Sequence, residues 1–423
     1  MKPNRRQFLG AALATSALAR SKQAAAQAPP RAHDPRETIT ALYPENREDE
    51  LRLTEFEPKS MLVVPEHPVA RARYPVIDMH THITGVFRRT PQPDDPLQGT
   101  PEQRLDHIVE WMDELNIQTF VNLTGGSAEG LENTMNTLVK PHEGRFVTCT
   151  TPDYTSFKDP GWPEWQAEQL GDAKTMGAVG FKVSKTLGLY LREGGFSRDE
   201  RERGQQGPLV QIDDERLFPS WKAAGELNLP VFIHISDPDA FFTPFDRFNE
   251  RWQELYRHPE RKFYGSDFPT KPELHAARNR VIEKFHETTF IGLHVATHPE
   301  NLDDVSAWLD RYPNTLVELG ASLGALGRQP RRARRFFEEY QDRIMFGTDA
   351  SPNNYGDPQQ ILVPEMFQGY FRFLETLDEH FDYSPGRIPP QGIFRIYGIG
   401  LPDAILKKVY HDNAARLLGM NLA

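Results

Sequence analysis

The feature that most constrains this chain is a rhythm. Eight short runs rich in β-branched and aromatic residues recur, each followed by a stretch whose apolar residues have helical spacing. The runs are 74–83, 118–123, 146–151, 178–184, 230–236, 289–294, 315–319 and 344–348. Between them, residues 101–116 set Leu105, Ile108, Val109 and Met112 on one face, and residues 301–311 do the same with Leu302, Val305, Trp308 and Leu309;. Eight strand–helix alternations predict an α/β fold, a (β/α)8 TIM barrel, in which crossover helices cover the outside and inward side chains fill the centre. Two stretches exceed a minimal barrel. The segment from Asp237 to Thr288, after the fifth strand, is a long insertion rich in aromatic residues, expected to wall the pocket and to favour a substrate of ring or apolar character through Phe241, Phe242 and Trp252;. The segment from Ser351 to Ala423 forms a C-terminal helical extension, with helices expected over 366–377 and 402–418.

The chain ahead of the barrel divides in two. Residues 1–28 carry paired arginines in Asn4-Arg5-Arg6-Gln7-Phe8-Leu9, a short apolar run over 10–19 and the small-residue site Ala26-Gln27-Ala28. That order reads as a twin-arginine signal peptide, with the export machinery as its partner and the periplasm or exterior as the destination. Residues 29–74 mix prolines and charges without a period and read as an N-terminal arm, leaving 75–423 as the barrel domain with its C-terminal helices;. Charged residues make up 26% of the 423 and hydrophobic residues 38%, a soluble composition with no membrane insertion expected in the mature form;. Lys and Arg total 49 against 60 Asp and Glu, so the basic footprint of a nucleic-acid binder is missing and a small-molecule substrate is the expected partner;. One cysteine, Cys149, excludes an intramolecular disulfide and reads as a core residue;.

Chemistry concentrates at strand ends. In Val76-Ile77-Asp78-Met79-His80-Thr81-His82 the two histidines lie two positions apart, so on a strand they share a face about 6–7 Å apart;. His234 ends the fifth run, His294 the sixth and Asp349 follows the eighth, all at the C-terminal mouth of the expected barrel;. Four histidines and a carboxylate converging there form a divalent-metal constellation. A lone pair of histidines at this spacing is as readily structural, and the other three strand ends are what favour a metal.

These motifs resemble the metal-dependent amidohydrolase superfamily, in its amidohydrolase-related branch that also contains decarboxylases. The resemblance runs from about Pro75 to Leu418 and includes Asp78-Met-His-Thr-His82, the fifth-strand His234, Gly347-Thr-Asp349 and the closing Tyr410-His-Asp-Asn-Ala-Ala-Arg-Leu-Leu-Gly419. It implies that His80, His82, His234 and Asp349 hold one divalent metal, with Zn favoured and Mn or Fe open. It also implies that Asp349 takes the proton of the attacking water and that His294 is a general acid/base or, in binuclear relatives, a second ligand. Lys182, on the fourth run, matches the position where binuclear relatives carry a carboxylated lysine bridging two metals. Unmodified, Lys182 orients a substrate carboxylate or pairs with an acid. Lys185 has the opposite parity and is expected to miss the centre. His298 and Arg88 are further candidates for substrate contact, the latter as a guanidinium matched to a carboxylate.

The resulting expectation is a metal-dependent hydrolase using metal-activated water on an amide, ester or lactone of a small molecule. A non-oxidative decarboxylase of an aromatic or unsaturated acid on the same scaffold is the alternative. A non-catalytic binding protein that kept the barrel is disfavoured by the complete ligand set. The glycine-rich stretch 320–327 lacks nucleotide-loop spacing and is assigned no phosphate role;.

Overall fold

The computed structural model describes residues 51–420, apart from 89, 92, 94, 197–206, 353–355 and 387–389. The leader reading therefore lies outside the described residues. Two compact units emerge, Met1–Leu53 and Thr54–Ala423, the first described only at 51–53. Within 51–74 the chain is irregular apart from a 3-10 turn at Leu53–Glu55, and His67 anchors it through a backbone bond to Asp378 at 2.7 Å.

All eight expected strands form: β1 (Val76–Thr81), β2 (Ile117–Asn122), β3 (Phe146–Thr148), β4 (Phe181–Val183), β5 (Val231–Ile233), β6 (Phe290–Gly292), β7 (Thr315–Glu318) and β8 (Ile344–Met345). β1 to β3 pair in parallel, as do β4 to β8. Parallel bridges Thr150–Phe181 and Thr81–Ala350 join these two sheets at both edges. Backbone bonds from Lys182 N to Thr150 O at 2.8 Å and from Asp349 N to His80 O at 2.7 Å complete the ring. The barrel is thereby closed, which leaves no edge strand.

Besides shorter helical turns, a crossover helix follows each strand: α1 (Pro101–Leu115), α2 (Ala128–Thr134), α3 (Trp162–Met176), α4 (Phe218–Glu226), α5 (Lys271–Lys284), α6 (Leu302–Arg311), α7 (Pro330–Glu339) and α8 (Pro364–Glu375). Their starts are written locally. Thr100 and Gln103 form a reciprocal capping box at α1, Thr270 and Glu273 another at α5, and the Asn301 side chain caps α6;. The C-terminal extension adds a helical run over 403–418, interrupted by a π turn at Lys408–Asp412.

Two apolar layers hold the barrel. Ile77, Met79, Val121, Cys149, Phe232, Ile291 and Met345 form a central cluster that Ala414 and Ala415 of the closing helix join. Alternate strand residues face out to the helices: Phe120 stacks on Phe367 of α8 at 5.7 Å, and Phe181 packs on Trp221 of α4 at 6.0 Å. No helix among the described residues is long and apolar enough to cross a membrane. The insertion after β5 folds largely on itself, with Phe263 in contact with Phe241, Phe242, Phe268 and Tyr190. A second excursion, between β4 and α4, carries a small hairpin (Leu191–Arg192 with Gly195–Phe196) that the sequence reading did not separate out.

Candidate metal centre

The strand ends do converge, but not by simple alternation. Ile77 and Met79 of β1 belong to the central cluster, so strict parity would turn His80 away;. A register shift between Asp78 and Thr81 breaks the alternation and lets His80 and His82 join the mouth;. Buried Asp78 braces this kink: its carboxylate accepts from the His80 and Thr348 amides at 3.0 and 3.1 Å and from the Thr348 hydroxyl at 2.5 Å. His294 is delivered by different means. Residues 294–297 all have positive φ, between 53° and 59°, and this left-handed turn directs the imidazole inward at the end of β6;. Asp349, at φ 63°, sits in the same rare region beyond β8.

The Nε2 atoms of His80 and His82 lie 3.0 and 2.9 Å from one oxygen of Asp349. His80 Nδ1 faces Glu318 at 3.0 Å; a carboxylate only accepts, so Nδ1 carries the proton there;. Neutral His80 then presents a lone pair at Nε2, which is buried and makes no well-aligned hydrogen bond despite its closeness to Asp349. Two imidazole nitrogens and a carboxylate oxygen gathered in this way fit a cation between them, and these three side chains form a ligand-competent group;. Without a metal, burial would lower the His80 pKa, but Asp349 and Glu318 carry it up to about 9, so a proton takes the cation's place. Burial would raise Asp349 and Glu318, yet His80 holds Asp349 well below the carboxylate range and Glu318 at about 2.

Glu318, at the end of β7, was not singled out in the sequence. One oxygen serves His80 Nδ1 and the His294 amide (2.6 Å), and the other accepts from Gly320 N at 2.5 Å. With both oxygens engaged it orients ligands, as an outer-shell carboxylate does. A legible signal existed: Glu318 closes an apolar run and is followed one residue later by Gly320, where a Cβ would stand 2.8 Å from Glu318 Oε2 and 2.9 Å from His80 Nδ1.

His234 and His294 form a second pair, ring centroids 4.4 Å apart. His294 Nδ1 donates to the Gly320 carbonyl at 2.7 Å, so its neutral Nε2 accepts from His234 Nδ1 at 3.3 Å;. His234 Nε2 is buried, 3.5 Å from Asp237 Oδ1 and without a well-aligned hydrogen bond. Burial lowers the pKa of both histidines, with mutual repulsion adding to the effect at His234. His234 stands outside the two ligand-competent groups found among the described residues, His80–His82–Asp349 and His80–His294–Glu318.

Lys182 is 6% exposed, and its side chain makes no hydrogen bond among the described residues. Burial pushes its ammonium down to about 8, although Asp349 and Glu318 pull it upward. Lys185 does reach the site, contrary to the parity argument: β4 ends at Val183, and alternation has no force beyond a strand's end. It lines the cavity beside Asp237, 2.6 Å away. His298 lines a different cavity, 3.6 Å from both Asp239 and Asp304, and Arg88 lies exposed after the turn Ile83–Phe87.

The cavity over the centre measures about 120 Å³ and reaches Asp349, His294 and His234. Of the aromatic residues expected to line it, only Phe241 does; Trp252 instead stacks between Phe245 and Tyr256. The remaining wall is mixed, with Lys185, Arg251, Arg261 and Gln360 beside Pro238, Pro299 and Ala321. The Gln360 amide also donates to the second oxygen of Asp349.

A comparison with curated protein sequences finds no match. Among solved structures, a putative amidohydrolase from Staphylococcus aureus is 16% identical, covering 82% of this chain and 99% of that one, with a TM-score of 0.46. A dihydroxybenzoic acid decarboxylase from Polaromonas with bound manganese is 18% identical over 83% and 98%, TM-score 0.46. The 2,6-dihydroxybenzoate decarboxylase from Rhizobium is 15% identical over 82% and 99%, TM-score 0.45. The family model described as amidohydrolase matches residues 77–420, spanning every strand of the barrel and the closing helix, and the chain belongs to that family.

Proposed function

We propose that this protein is a metal-dependent hydrolase that adds water to the carbonyl of a small amide, ester or lactone. The observation that carries this reading is the cavity set directly on Asp349 and His294, with one aromatic residue, Phe241, in its wall. His80, His82 and Asp349 hold the ion, and the family resemblance adds His234 as a further ligand. A divalent ion bound there supplies Lewis acidity and a water of lowered pKa, and mixed imidazole and carboxylate donors suit Zn²⁺ as well as Mn²⁺ or Fe²⁺.

The chain's own groups complete the chemistry. Asp349 keeps one oxygen on the histidines and the other with the Gln360 amide, so it is placed to accept a proton from water and pass it to the leaving group;. His294, fixed by Gly320 and Glu318, faces the same cavity, where its neutral imidazole is placed to take up a proton as a general base;. Lys182 stays an unmodified amine in this reading, and the site is mononuclear. The paired arginines of residues 1–28 support export by the twin-arginine route to the periplasm or beyond, which carries proteins already folded around a cofactor;.

The test is elemental analysis and intact mass of the mature protein, followed by turnover of ester, lactone, amide and hydroxybenzoate panels in ¹⁸O-labelled water. One metal per chain, no carboxyl adduct on Lys182 and ¹⁸O in the product are expected. Carbon dioxide release without label incorporation establishes the decarboxylase instead, and no metal after loading removes both.

A further inference from the structure

A second cavity, of about 580 Å³, lies between α5 and α6, where residues of both helices line it together with Asp239 and His298. It is separate from the cavity over the metal centre. Ser236 and Thr297 line the metal-side cavity and His275 lines this one. His275 Nε2 lies 2.8 and 3.2 Å from the Ser236 and Thr297 hydroxyls, so these three side chains form a partition between the two.

Arg278 of α5 is the unusual group in this wall. It is 4% exposed, and its guanidinium is held from three sides. Nε donates to Asn279 Oδ1 at 3.1 Å, Nη1 donates to the Ala296 carbonyl at 2.8 Å, and the group lies 4.8 Å over the Trp308 ring. Asn279 Oδ1 is fixed in turn by Trp308 Nε1 at 3.0 Å. Nη2 donates to none of the described residues and is not among the atoms sealed from solvent, so it keeps both protons for a ligand. Burial pulls the Arg278 pKa down to about 9, and what opposes this is the Tyr312 phenol rather than any carboxylate, so the group is charged at neutral pH without a counter-ion among the described residues. A buried charge is costly unless it is paired. The other charges in the wall have partners: Lys271 has Asp239 at 2.6 Å, Arg311 has Glu283 at 3.4 Å and Asp304 has His298 at 3.6 Å. Burial, with Arg278 and Lys271 nearby, keeps His275 neutral. One positive charge is left over.

We infer that the cavity between α5 and α6 binds a small monocarboxylate with an apolar body, its carboxylate accepting from Arg278 Nη2, at a site distinct from the metal centre. One uncompensated cation calls for one negative charge; a carboxylate brings one at neutral pH, and its planar oxygens suit a guanidinium, whereas phosphate brings about two. The apolar body has its own surface in Pro272, Ala276, Val305, Ala307 and the Trp308 ring. This inference stands independently of which bond the metal centre breaks.

The experiment is calorimetry on the zinc-loaded full chain with benzoate, its neutral isostere benzamide and inorganic phosphate. Benzoate is expected to bind, and benzamide to bind at least about 10-fold more weakly, since it cannot form the charge-assisted pair. Arg278→Gln should abolish benzoate binding. That variant also unties Ala296, so a second pair of variants keeps the arginine. Ala276 is exposed on α5 and lines the cavity, and Ala276→Glu sets a competing carboxylate in the wall. It should weaken benzoate by at least about 10-fold, and Ala276→Gln, matched in size, by much less. His82→Ala, which disables the metal centre, should leave benzoate binding at this site unchanged. Benzoate binding that survives Arg278→Gln and disappears in His82→Ala places the carboxylate on the metal and overturns the inference. Equal binding of benzamide, equal effects of Ala276→Glu and Ala276→Gln, or no binding at millimolar benzoate overturns it too. Phosphate bound as tightly as benzoate marks a general oxyanion site and overturns the carboxylate assignment.

Discussion

His80 stands between two carboxylates, Glu318 on Nδ1 and Asp349 near Nε2, and this position makes it the most sensitive residue of the centre. Because Glu318 orients His80 without ligating, Glu318→Gln should weaken zinc by about 10- to 100-fold while the protein still folds, measured by competition with a chromophoric chelator. Gly347 gives an independent route to the same effect: a Cβ there would fall on the Glu318 carboxylate, so Gly347→Ala should cost comparable affinity. Unchanged zinc binding in both variants removes the orienting role. Cys149 makes a contrasting prediction. Buried in the barrel's central cluster, with its thiol pKa pushed up by that burial, it should ignore a thiol reagent in the native state and react only on unfolding;. The residue types of the ligands were legible because imidazole and carboxylate at strand ends carry their chemistry in their names. Glu318 was not, since its role depends on which histidine lies across the mouth.

Elements were legible where local rules govern and illegible where they stop. The Thr-Pro start of α1 announces its helix, and the structure begins it there, whereas α5 starts on a similar capping box inside the stretch 237–288 that the sequence reads as insertion throughout. Parity predicted Lys182 inward and failed for Lys185, because a pleat's alternation ends with its ladder. The left-handed run 294–297 had no sequence warning at all, with Val295 and Thr297 both β-branched. Such residues cost on the order of 1–2 kcal/mol each in this region, and they persist here because β6 and the packed turn over-determine them. The insertion is tied down by an ionic network in which Arg261 bridges Glu254 and Asp357. Burial would raise the Asp357 pKa, but His258 and Arg261 hold it far below its unfolded value of about 3.9;. A depressed carboxylate contributes stability above its unfolded pKa and loses it as pH falls through the folded one. Asp357→Asn should therefore destabilise by about 2–3 kcal/mol at pH 7, and the gap from wild type should begin to close only below about pH 4, read by denaturant unfolding against pH. A gap that closes between pH 5 and 7 contradicts this assignment.

At the scale of the whole molecule, closure and metal binding are coupled. The bridge between Thr81 and Ala350 that closes the barrel lies next to both His80–His82 and Asp349, so one ion ties the first strand to the last. Chelation should lower the melting temperature and zinc should restore it, by up to about 4 kcal/mol at a thousandfold excess over Kd. His82→Ala should melt at the same temperature with and without zinc; a variant that still responds relocates the ion to the His234–His294 pair. The eight runs, their helices, the two extensions and the set of candidate ligands were determined by the sequence alone, because periodicity, caps and side-chain chemistry act within a few residues. Only the tertiary structure decided that the β1 register shift and the left-handed turn deliver the histidines, that Glu318 holds His80, that Lys185 enters while His298 and Arg88 stay out, and that Phe241 reaches the cavity while Trp252 does not. Each of those outcomes depends on groups from different strands meeting across the barrel mouth, a relation set by closure and packing that no window of sequence contains.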